Sequence, residues 1–599
     1  MINMHTFHIP VLGVGFSVDA PLKVARYGIA SVMSLVDDSL MEKLRQFYLN
    51  KFNKEYIPIH SKENDSRAKR ITAYLNMVNQ FVKEQFESLR NSTFETGSEI
   101  IKYLEMLPDK SLIKIKYKNY LKNSDPSNSS CLANFIRQNI TPGSLDVNIM
   151  TKVDRANYDI EGKTLSAEYN DAHAALRGFA LSDLESSIVF SAGINPKLYS
   201  YLATFPDFYP GENNEFKKKI IIKVSDFRSA DIQSKFLAKK GLWVSEFRIE
   251  SGLNCGGHAF ASDGLLLGPI LEEFKMKREN LQTSLRGLCM KVFAEKNIKI
   301  DPEELNIRIT VQGGVGEASE HEFLMRNYNV DSIGWGSPFL LVPEVMNVDT
   351  ETLDKLSIAD EDDFYLSYVS PLGVPFNNLK GSEKDLEKMN RIDNNKPGSP
   401  CVRKFLESNT EFSEKPICTA AISYIKQKIY DLKKNSISEI DYNKEFAKTV
   451  DKVCLCEGLI ASALIVNKIE SFKQSMKVAV CPGPNLAYFN KIVTLKEMVE
   501  HIYGKVNIIT HTNRMNMFMK ELSLNIDFYK KKIEDSIEPW SVNTLKMLET
   551  FRNNLLDGIS YYKKLIPDII EESAEVRSKI KNDLQALEEK LLSSVLIPG

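Results

Sequence analysis

Short apolar runs alternate with helix-forming runs through most of the first 345 residues. The runs predicted as strands are 8–15, 29–36, 147–153, 187–193, 218–225, 243–250, 306–316 and 330–339, and helices are predicted between them, as at 21–28, 165–179, 229–240 and 267–296. A helix between two strands makes the strands parallel and the crossover right-handed. Eight such units predict a closed (β/α)₈ barrel, or TIM barrel, and an open doubly wound sheet is the alternative.

Two regions depart from this alternation. Between 39 and 145 the apolar residues recur at helical spacing, which predicts a helical insertion after the second strand, serving as a lid or a subunit contact. A linker-like stretch at 393–400 divides the chain into a barrel, 1–390, and a mostly helical C-terminal domain, 391–599.

Two shorter segments are also distinctive. The segment 365–380 is rich in turn formers and is expected to wrap over another part of the protein. The apolar stripe near 576–591 predicts a helix packed on the body rather than an independent coiled coil.

Composition and charge narrow the possible partners. The chain has 599 residues, of which 43% are hydrophobic and 26% charged, as in ordinary globular proteins. A formal net charge of -2 gives no general attraction to nucleic acid or an anionic membrane. No apolar run approaches the ~20 residues that span a bilayer, and the N-terminus lacks a signal-peptide pattern. We therefore expect a cytoplasmic protein with a small-molecule substrate and no nucleic-acid or membrane partner; a homo-oligomer is left open.

Glycines at predicted strand ends are the candidate chemistry. Gly256, Gly257 and His258 follow the sixth strand, where glycines allow close approach to a flat or charged ligand and an imidazole can transfer a proton. Alone, this triplet is typical of a turn with an incidental histidine. The seventh and eighth strands also run into glycines, and these two strand ends are where TIM barrels commonly hold a phosphate.

Three motifs in this order resemble the nitronate monooxygenase family, once called 2-nitropropane dioxygenases. They are Gly256-Gly257-His258, Gln312-Gly313-Gly314-Val315 and Trp335-Gly336-Ser337-Pro338-Phe339. This group of FMN-dependent TIM barrels also contains enoyl reductases. The resemblance is remote and covers roughly residues 6–345, apart from the insertion.

The resemblance implies FMN at the carboxyl-terminal mouth of the barrel. The residues expected beside the cofactor are Gly13, Gly256, Gly257 and Gln312, with the backbone N–H groups of Gly313, Gly314, Gly336 and Ser337 holding the phosphate. Lys152 or Lys223 would place positive charge near the N1–C2=O edge of the flavin, or else is a structural or solvated charge. By the same resemblance, His258 is a general acid/base.

The chain also departs from the family pattern. Asn254-Cys255 stands where the family usually has Glu-Ala, and Pro338 replaces an arginine, so the substrate is left open. Cys255 is a candidate redox or nucleophilic thiol beside the flavin, with packing of a small residue as the alternative.

Cysteines concentrate in the second half of the chain. Cys401, Cys418, Cys454 and Cys456 are candidate ligands of a [4Fe–4S] cluster or a zinc ion, with Cys481 nearby in sequence. Their spacing is not that of a ferredoxin, and separate buried cysteines are the alternative.

Together these patterns predict an FMN-dependent oxidoreductase that exchanges hydride with a small organic substrate. Its electron donor would be NAD(P)H or a ferredoxin- or flavodoxin-type protein, with the iron–sulfur cluster as a relay. The alternatives are a flavin-free lyase or isomerase of a phosphorylated metabolite and a binding scaffold without turnover.

Overall fold

Eight parallel strands close into a barrel in a computed structural model that describes residues 4–122, 126–159, 161–435, 437–471, 474–509, 513–536 and 541–594. The strands are β1 (Phe7–Ile9), β2 (Ala30–Ser34), β3 (Leu145–Ile149), β4 (Ser186–Phe190), β5 (Lys218–Val224), β6 (Val244–Glu250), β7 (Arg308–Gln312) and β8 (Ser332–Gly334). They pair in chain order, and β8 closes the barrel on β1 through Phe7↔Ile333 and His8↔Gly334. The predicted TIM barrel is confirmed.

Each barrel strand is shorter than the apolar run that predicted it. In the first run, the strand ends at Ile9 because Pro10 has no N–H to donate to a neighbouring strand. The remainder of that run, 10–15, forms the loop and turn that face the mouth of the barrel. After β6 the chain stays irregular until Leu267, and this long loop carries the Gly-Gly-His motif.

Twenty α-helices surround and extend the barrel in the described part of the chain. They are α1 (Ala20–Val24), α2 (Asp38–Lys51), α3 (Ser66–Arg90), α4 (Glu99–Met106), α5 (Leu112–Lys122), α6 (Pro126–Asn139), α7 (Asp171–Ala180), α8 (Pro196–Leu202), α9 (Phe227–Ala238), α10 (Leu267–Glu295), α11 (Ala318–Tyr328), α12 (Thr350–Ile358), α13 (Glu383–Asp393), α14 (Ile422–Lys434), α15 (Glu439–Val450), α16 (Leu455–Val466), α17 (Leu495–Ile502), α18 (Met517–Asp535), α19 (Val542–Leu565) and α20 (Ala574–Leu592). None of the described helices is long and apolar enough to span a membrane.

The insertion between β2 and β3 is helical, as predicted, and consists of α2 to α6. Helix α3 packs against α7 so closely that a Cβ on Gly178 would come within 2.8 Å of the Ile71 side chain. Thr72 Oγ1 donates a 2.9 Å hydrogen bond to the Gly178 carbonyl at the same contact. The insertion is therefore fixed to the outer helical layer of the barrel.

A hairpin occupies the segment that was expected to be a turn-rich wrap. β9 (Phe364–Ser367) and β10 (Phe376–Leu379) pair antiparallel. The loop joining them contains Pro371, Gly373 and Pro375. Because proline and glycine are typical of turns, the sequence pattern predicts a turn here and not the two short strands on either side. The first residue of β10, Phe376, also pairs with His258, so the hairpin lies over the Gly-Gly-His loop.

The C-terminal half packs directly on the barrel. One hydrophobic cluster contains barrel residues such as Phe247 together with α16, α18 and α19 residues such as Ile460, Leu522 and Phe551. Helix α20 buries Ile580, Leu584, Leu587 and Leu591 and packs on α18 and α19, as its apolar stripe predicted. Residues on both sides of the predicted boundary near 390 thus share one core.

Candidate functional site

A cavity of about 260 Å³ lies at the carboxyl ends of the barrel strands. Every residue predicted to bind FMN or to act in catalysis lines it: Gly13, Lys152, Lys223, Cys255, Gly256, Gly257, His258, Gln312, Gly313, Gly314, Gly336 and Ser337. Parallel strands in a closed barrel bring their carboxyl ends to one face, which is why residues so distant in sequence meet.

The glycines after β7 are required by tight packing. Gly313 and Gly314 have φ angles of +112° and +81°, in a region that side chains disfavour. A Cβ on Gly314 would lie 1.8 Å from Asn254 Nδ2, and one on Gly313 would lie 2.5 Å from Cys255 Sγ. The backbone at Gly313 and Gly314 can therefore lie this close to the loop after β6 only because both residues lack side chains.

Four backbone donors of this region are available to an anion. The N–H groups of Gly313, Gly314, Gly336 and Ser337 have no acceptor among the described residues. They come from the ends of β7 and β8, the two strand ends that bind phosphate in many TIM barrels. Such a set of unpaired N–H groups fits an anionic ligand.

Segments of the C-terminal half, which sequence reasoning did not connect with the site, hold these glycine loops in place. The Gly483 N–H donates to Ser337 Oγ at 2.6 Å, and Asn485 Nδ2 donates to the Val315 carbonyl at 3.0 Å. Arg514 Nη2 donates to the Gly314 carbonyl at 3.0 Å and pairs with Glu320 at 2.7 Å. The one sequence signal for this contact was the turn-forming Cys-Pro-Gly-Pro at 481–484, which says nothing about its target.

His258 is held by the hairpin. Its Nε2 lies 2.7 Å from Ser370 Oγ, and its ring meets that of Phe376 edge-on at 5.1 Å. Burial, followed by the nearby charges of Lys152 and Lys223, lowers the pKa of His258 from 6.5 to about 4. The imidazole is neutral at neutral pH and can accept a proton.

The two lysines at the cavity differ in their partners. Lys223 pairs with Glu250 at 2.9 Å, and Glu250 also accepts a hydrogen bond from Gln312. Lys152 has no carboxylate partner among the described residues, and its Nζ lies 3.5 Å from the centre of the Phe260 ring. Partial burial lowers the pKa of Lys152. Of the two, Lys152 carries the uncompensated positive charge.

Cys255 is packed rather than activated. Its thiol donates to the Gln312 carbonyl at 3.4 Å. Burial, followed by the charge of Glu250, raises the pKa of the thiol well above its usual range. A neutral thiol is a poor nucleophile, so these surroundings favour the packing alternative.

The residues present fit FMN. Besides the four N–H donors, the buried Asn148 Oδ1 and Asn254 Oδ1 on the cavity wall have no hydrogen-bond partner among the described residues. Gly257, at φ +78°, has open space where a Cβ would stand. A polar ring system with a phosphate on a flexible chain could use both the carbonyl oxygens and the glycine N–H groups.

The four cysteines predicted as metal ligands lie near one another. Cys401 and Cys418 act on each other's pKa through a thiol–thiol hydrogen bond, as do Cys454 and Cys456. Cys456 also lines the cavity. Across the described ranges, however, no three His, Cys, Asp or Glu side chains stand in an arrangement ready to hold a metal ion.

Comparison with known proteins gives weak similarities. No protein-family model matches this sequence, and no curated protein matches it either. A mutant of FabK from Thermotoga maritima is 12% identical, with a TM-score of 0.29 over 64% of this chain and 80% of that one. Nitroalkane oxidase from Streptomyces ansochromogenes is 9% identical, with a TM-score of 0.34 over 84% of this chain and 96% of that one.

Proposed function

We propose that the chain is an FMN-dependent oxidoreductase. The observation that carries this proposal is the set of four unpaired N–H groups of Gly313, Gly314, Gly336 and Ser337 on the wall of the cavity that also contains neutral His258. The first feature suits the phosphate of FMN, and the second suits proton transfer beside a hydride acceptor. Bound FMN would supply two-electron chemistry that no amino-acid side chain provides.

His258 would act as a base. A group with a pKa of about 4 is deprotonated at neutral pH and is ready to take a proton from a carbon acid. Ser370 fixes the ring through Nε2, so Nδ1 is the nitrogen left for the substrate. This arrangement favours substrate oxidation, with the proton going to His258 and the hydride to the flavin.

Lys152 would attract an anionic substrate. It lies where the main cavity meets a second one of about 300 Å³, which is lined also by Ile194, Ile232 and Phe260. An unpaired cation beside apolar side chains suits a small organic anion with an apolar portion. Lys223, already neutralised by Glu250, would contribute less to this attraction.

Electron supply completes the proposal. NAD(P)H or a reduced ferredoxin- or flavodoxin-type protein would reduce the flavin, and the oxidised form of such a carrier would take up the electrons of a flavin that the substrate has reduced. An iron–sulfur cluster on the cysteines of the C-terminal half would relay single electrons between the protein carrier and the flavin. This part is supported by the position of Cys456 on the cavity wall.

The proton-transfer role is tested by anaerobic flavin reduction. FMN-loaded wild type, His258→Asn and the surface control His60→Asn are mixed with a nitroalkane, NADH or NADPH, and the flavin absorbance is followed. We expect a carbon-acid substrate to reduce the flavin of His258→Asn at least about 100-fold more slowly than that of wild type. Dithionite should reduce all three equally. An unchanged rate in His258→Asn would remove the histidine from the mechanism.

A further inference from the structure

The strongest chemistry outside the flavin proposal is the group of cysteines in the C-terminal half. We propose that Cys401, Cys418, Cys454 and Cys456 together form a thiolate metal centre set into the wall of the main cavity. The metal site is independent of the flavin, whereas our preference for an iron–sulfur cluster over zinc rests on the proposed function.

One short segment brings the cysteine-bearing stretches together. The loop 368–371 accepts a 3.0 Å hydrogen bond from the Val453 N–H, next to Cys454, at the carbonyl of Val369. It accepts another, of 2.8 Å, from Thr419 Oγ1, next to Cys418, at the carbonyl of Pro371. The loop thus tethers the segments of Cys418 and Cys454, which are 36 residues apart in sequence.

Cys401 joins the group through a separate contact. The Ser399 N–H donates to the Ala420 carbonyl at 2.9 Å, and the Ile422 N–H donates to the Ser399 carbonyl at 3.0 Å. These bonds hold the segment just before Cys401 next to the segment just after Cys418. Four residues from four positions of the sequence therefore converge without a disulfide, since all are free cysteines.

The backbone around Cys401 is unusual for its residue types. Cys401 and Lys404 have φ angles of +55° and +65°, in the left-handed region that costs non-glycine residues about 1 kcal/mol or more. This conformation turns the Lys404 N–H toward the Cys401 sulfur. Backbone N–H groups directed at ligand sulfurs are among the means by which proteins tune thiolate clusters.

The four thiols are neighbours in space. Cys401 lies within hydrogen-bond reach of Cys418, and Cys454 within reach of Cys456. Cys456 also interacts electrostatically with Cys418 and Cys401, so the two pairs form one group.

The thiols are paired with each other rather than spread around a metal. In this arrangement, no three of the described His, Cys, Asp or Glu side chains stand ready for one ion. Metal ions displace thiol protons, because the thiolate is the ligand. Binding would break the two thiol–thiol hydrogen bonds and turn all four sulfurs to the metal, with release of protons.

Cys481 lies outside this group although it is close in sequence and lines the same cavity. Burial raises the pKa of its thiol to about 12, and none of the other cysteines contributes to that change. The proposed ligand set is thus four cysteines, the number that both a [4Fe–4S] cluster and a tetrahedral zinc site require.

The position of the four cysteines next to the main cavity suits a metal centre that transfers electrons. Cys456 and Leu455 line the cavity, as do Phe405 and Leu406, which follow Cys401. The loop 368–371 that tethers the cysteine segments also holds His258 through Ser370. A cluster here would lie beside a flavin and could pass it single electrons taken from an external reduced electron carrier.

The test is metal analysis of anaerobically purified full-length protein. Iron, acid-labile sulfide, zinc and FMN are measured in wild type, Cys456→Ser, Cys401→Ser and the control Cys289→Ser, a buried cysteine of α10. We expect about four iron atoms per chain in wild type and in Cys289→Ser, and at least about a tenfold loss in the other two variants. Reduced wild type should give the electron paramagnetic resonance signal of a cluster.

Each other outcome decides a separate point. About one zinc atom per chain, lost in the same two variants, would support the centre and replace the relay by a structural metal. Wild type that holds neither metal, even after reconstitution with iron and sulfide or with zinc, would overturn the proposal, as would variants that retain the wild-type metal. FMN measured in the same samples separates this result from failure of the flavin proposal, and circular dichroism checks that each variant folds.

Discussion

At the scale of single residues, the site depends on glycines where any side chain would collide with a neighbour. Gly314 combines a positive φ angle with a Cβ position only 1.8 Å from Asn254 Nδ2. Asn254 is itself fixed, since its amide donates to the Met517 carbonyl at 3.2 Å. The loop after β7 can therefore not absorb a methyl group by a small side-chain movement.

Gly314→Ala should accordingly lose both stability and FMN binding. We expect a lowered melting temperature and at least a tenfold weaker affinity for FMN, measured by flavin fluorescence. The matched control is Gly97→Ala, because Gly97 also has a positive φ angle, +88°, but no atom within 4 Å of its Cβ position. The control should lose about 1 kcal/mol from the unfavourable φ alone and bind FMN normally. Equal losses in the two variants would show that collision with Asn254 is unimportant.

At the scale of elements, the β9–β10 hairpin positions the histidine. Its loop carries Ser370, which is fully buried and bonded to His258, and its second strand pairs with the His258 backbone at Phe376. The barrel supplies the loop after β6, but the hairpin sets the direction in which the imidazole points.

Ser370→Ala should impair turnover without changing substrate affinity. Loss of the 2.7 Å bond frees the His258 ring to rotate, so we expect kcat to fall about tenfold while KM stays the same. The control, Ser367→Ala, removes a different hairpin hydrogen bond, from Ser367 Oγ to the Phe376 carbonyl, and should leave kcat near that of wild type. An equal fall of kcat in both variants would indicate that the hairpin only stabilises the structure and that the bond from Ser370 to His258 has no specific role.

The barrel elements could be predicted from the sequence, and the walls of the site could not. Strands such as β5 contain Ile220, Ile221 and Ile222 in one run, which is typical of a parallel strand buried on both faces. The hairpin escaped prediction because prolines and glycine dominate its loop. The turn sequence around Gly483 does not indicate what the turn contacts, and Arg514 carries no local pattern, because the contacts of both residues with the glycine loops depend on long-range packing.

At the scale of the whole molecule, the C-terminal half completes the site rather than forming a separate appendage. Glu521 of α18 illustrates the contact: its carboxylate accepts hydrogen bonds from Ser251 Oγ at 2.6 Å and from the Leu267 N–H at 2.9 Å. Ser251 begins the loop between β6 and α10 that carries His258, and Leu267, the first residue of α10, follows that loop. Burial raises the pKa of Glu521 from 4.5 to about 7.

This buried carboxyl should make stability depend on pH. Between pH 4.5 and about 7 the folded protein keeps a proton that the unfolded chain has released, so the stabilising contribution is complete below pH 4.5 and is lost as the pH rises through 7. Glu521→Gln should remove up to roughly 3 kcal/mol of this decline in the free energy of unfolding. Urea unfolding at pH 5 and pH 8 measures the change in the free energy of unfolding between the two pH values. The control is Glu549→Gln, on the exposed side of α19. An identical decline in Glu521→Gln and wild type would contradict the assignment.

The central claim is that the glycine loops after β7 and β8 bind the phosphate of FMN. The most direct measurement is a titration of cofactor-free protein with FMN and with riboflavin, which lacks the phosphate, followed by flavin fluorescence and absorbance. We predict binding of about one FMN per chain and at least about 100-fold weaker binding of riboflavin, because charge-assisted bonds to the phosphate contribute several kcal/mol. Absence of FMN binding, or equal affinity for the two flavins, would contradict the account.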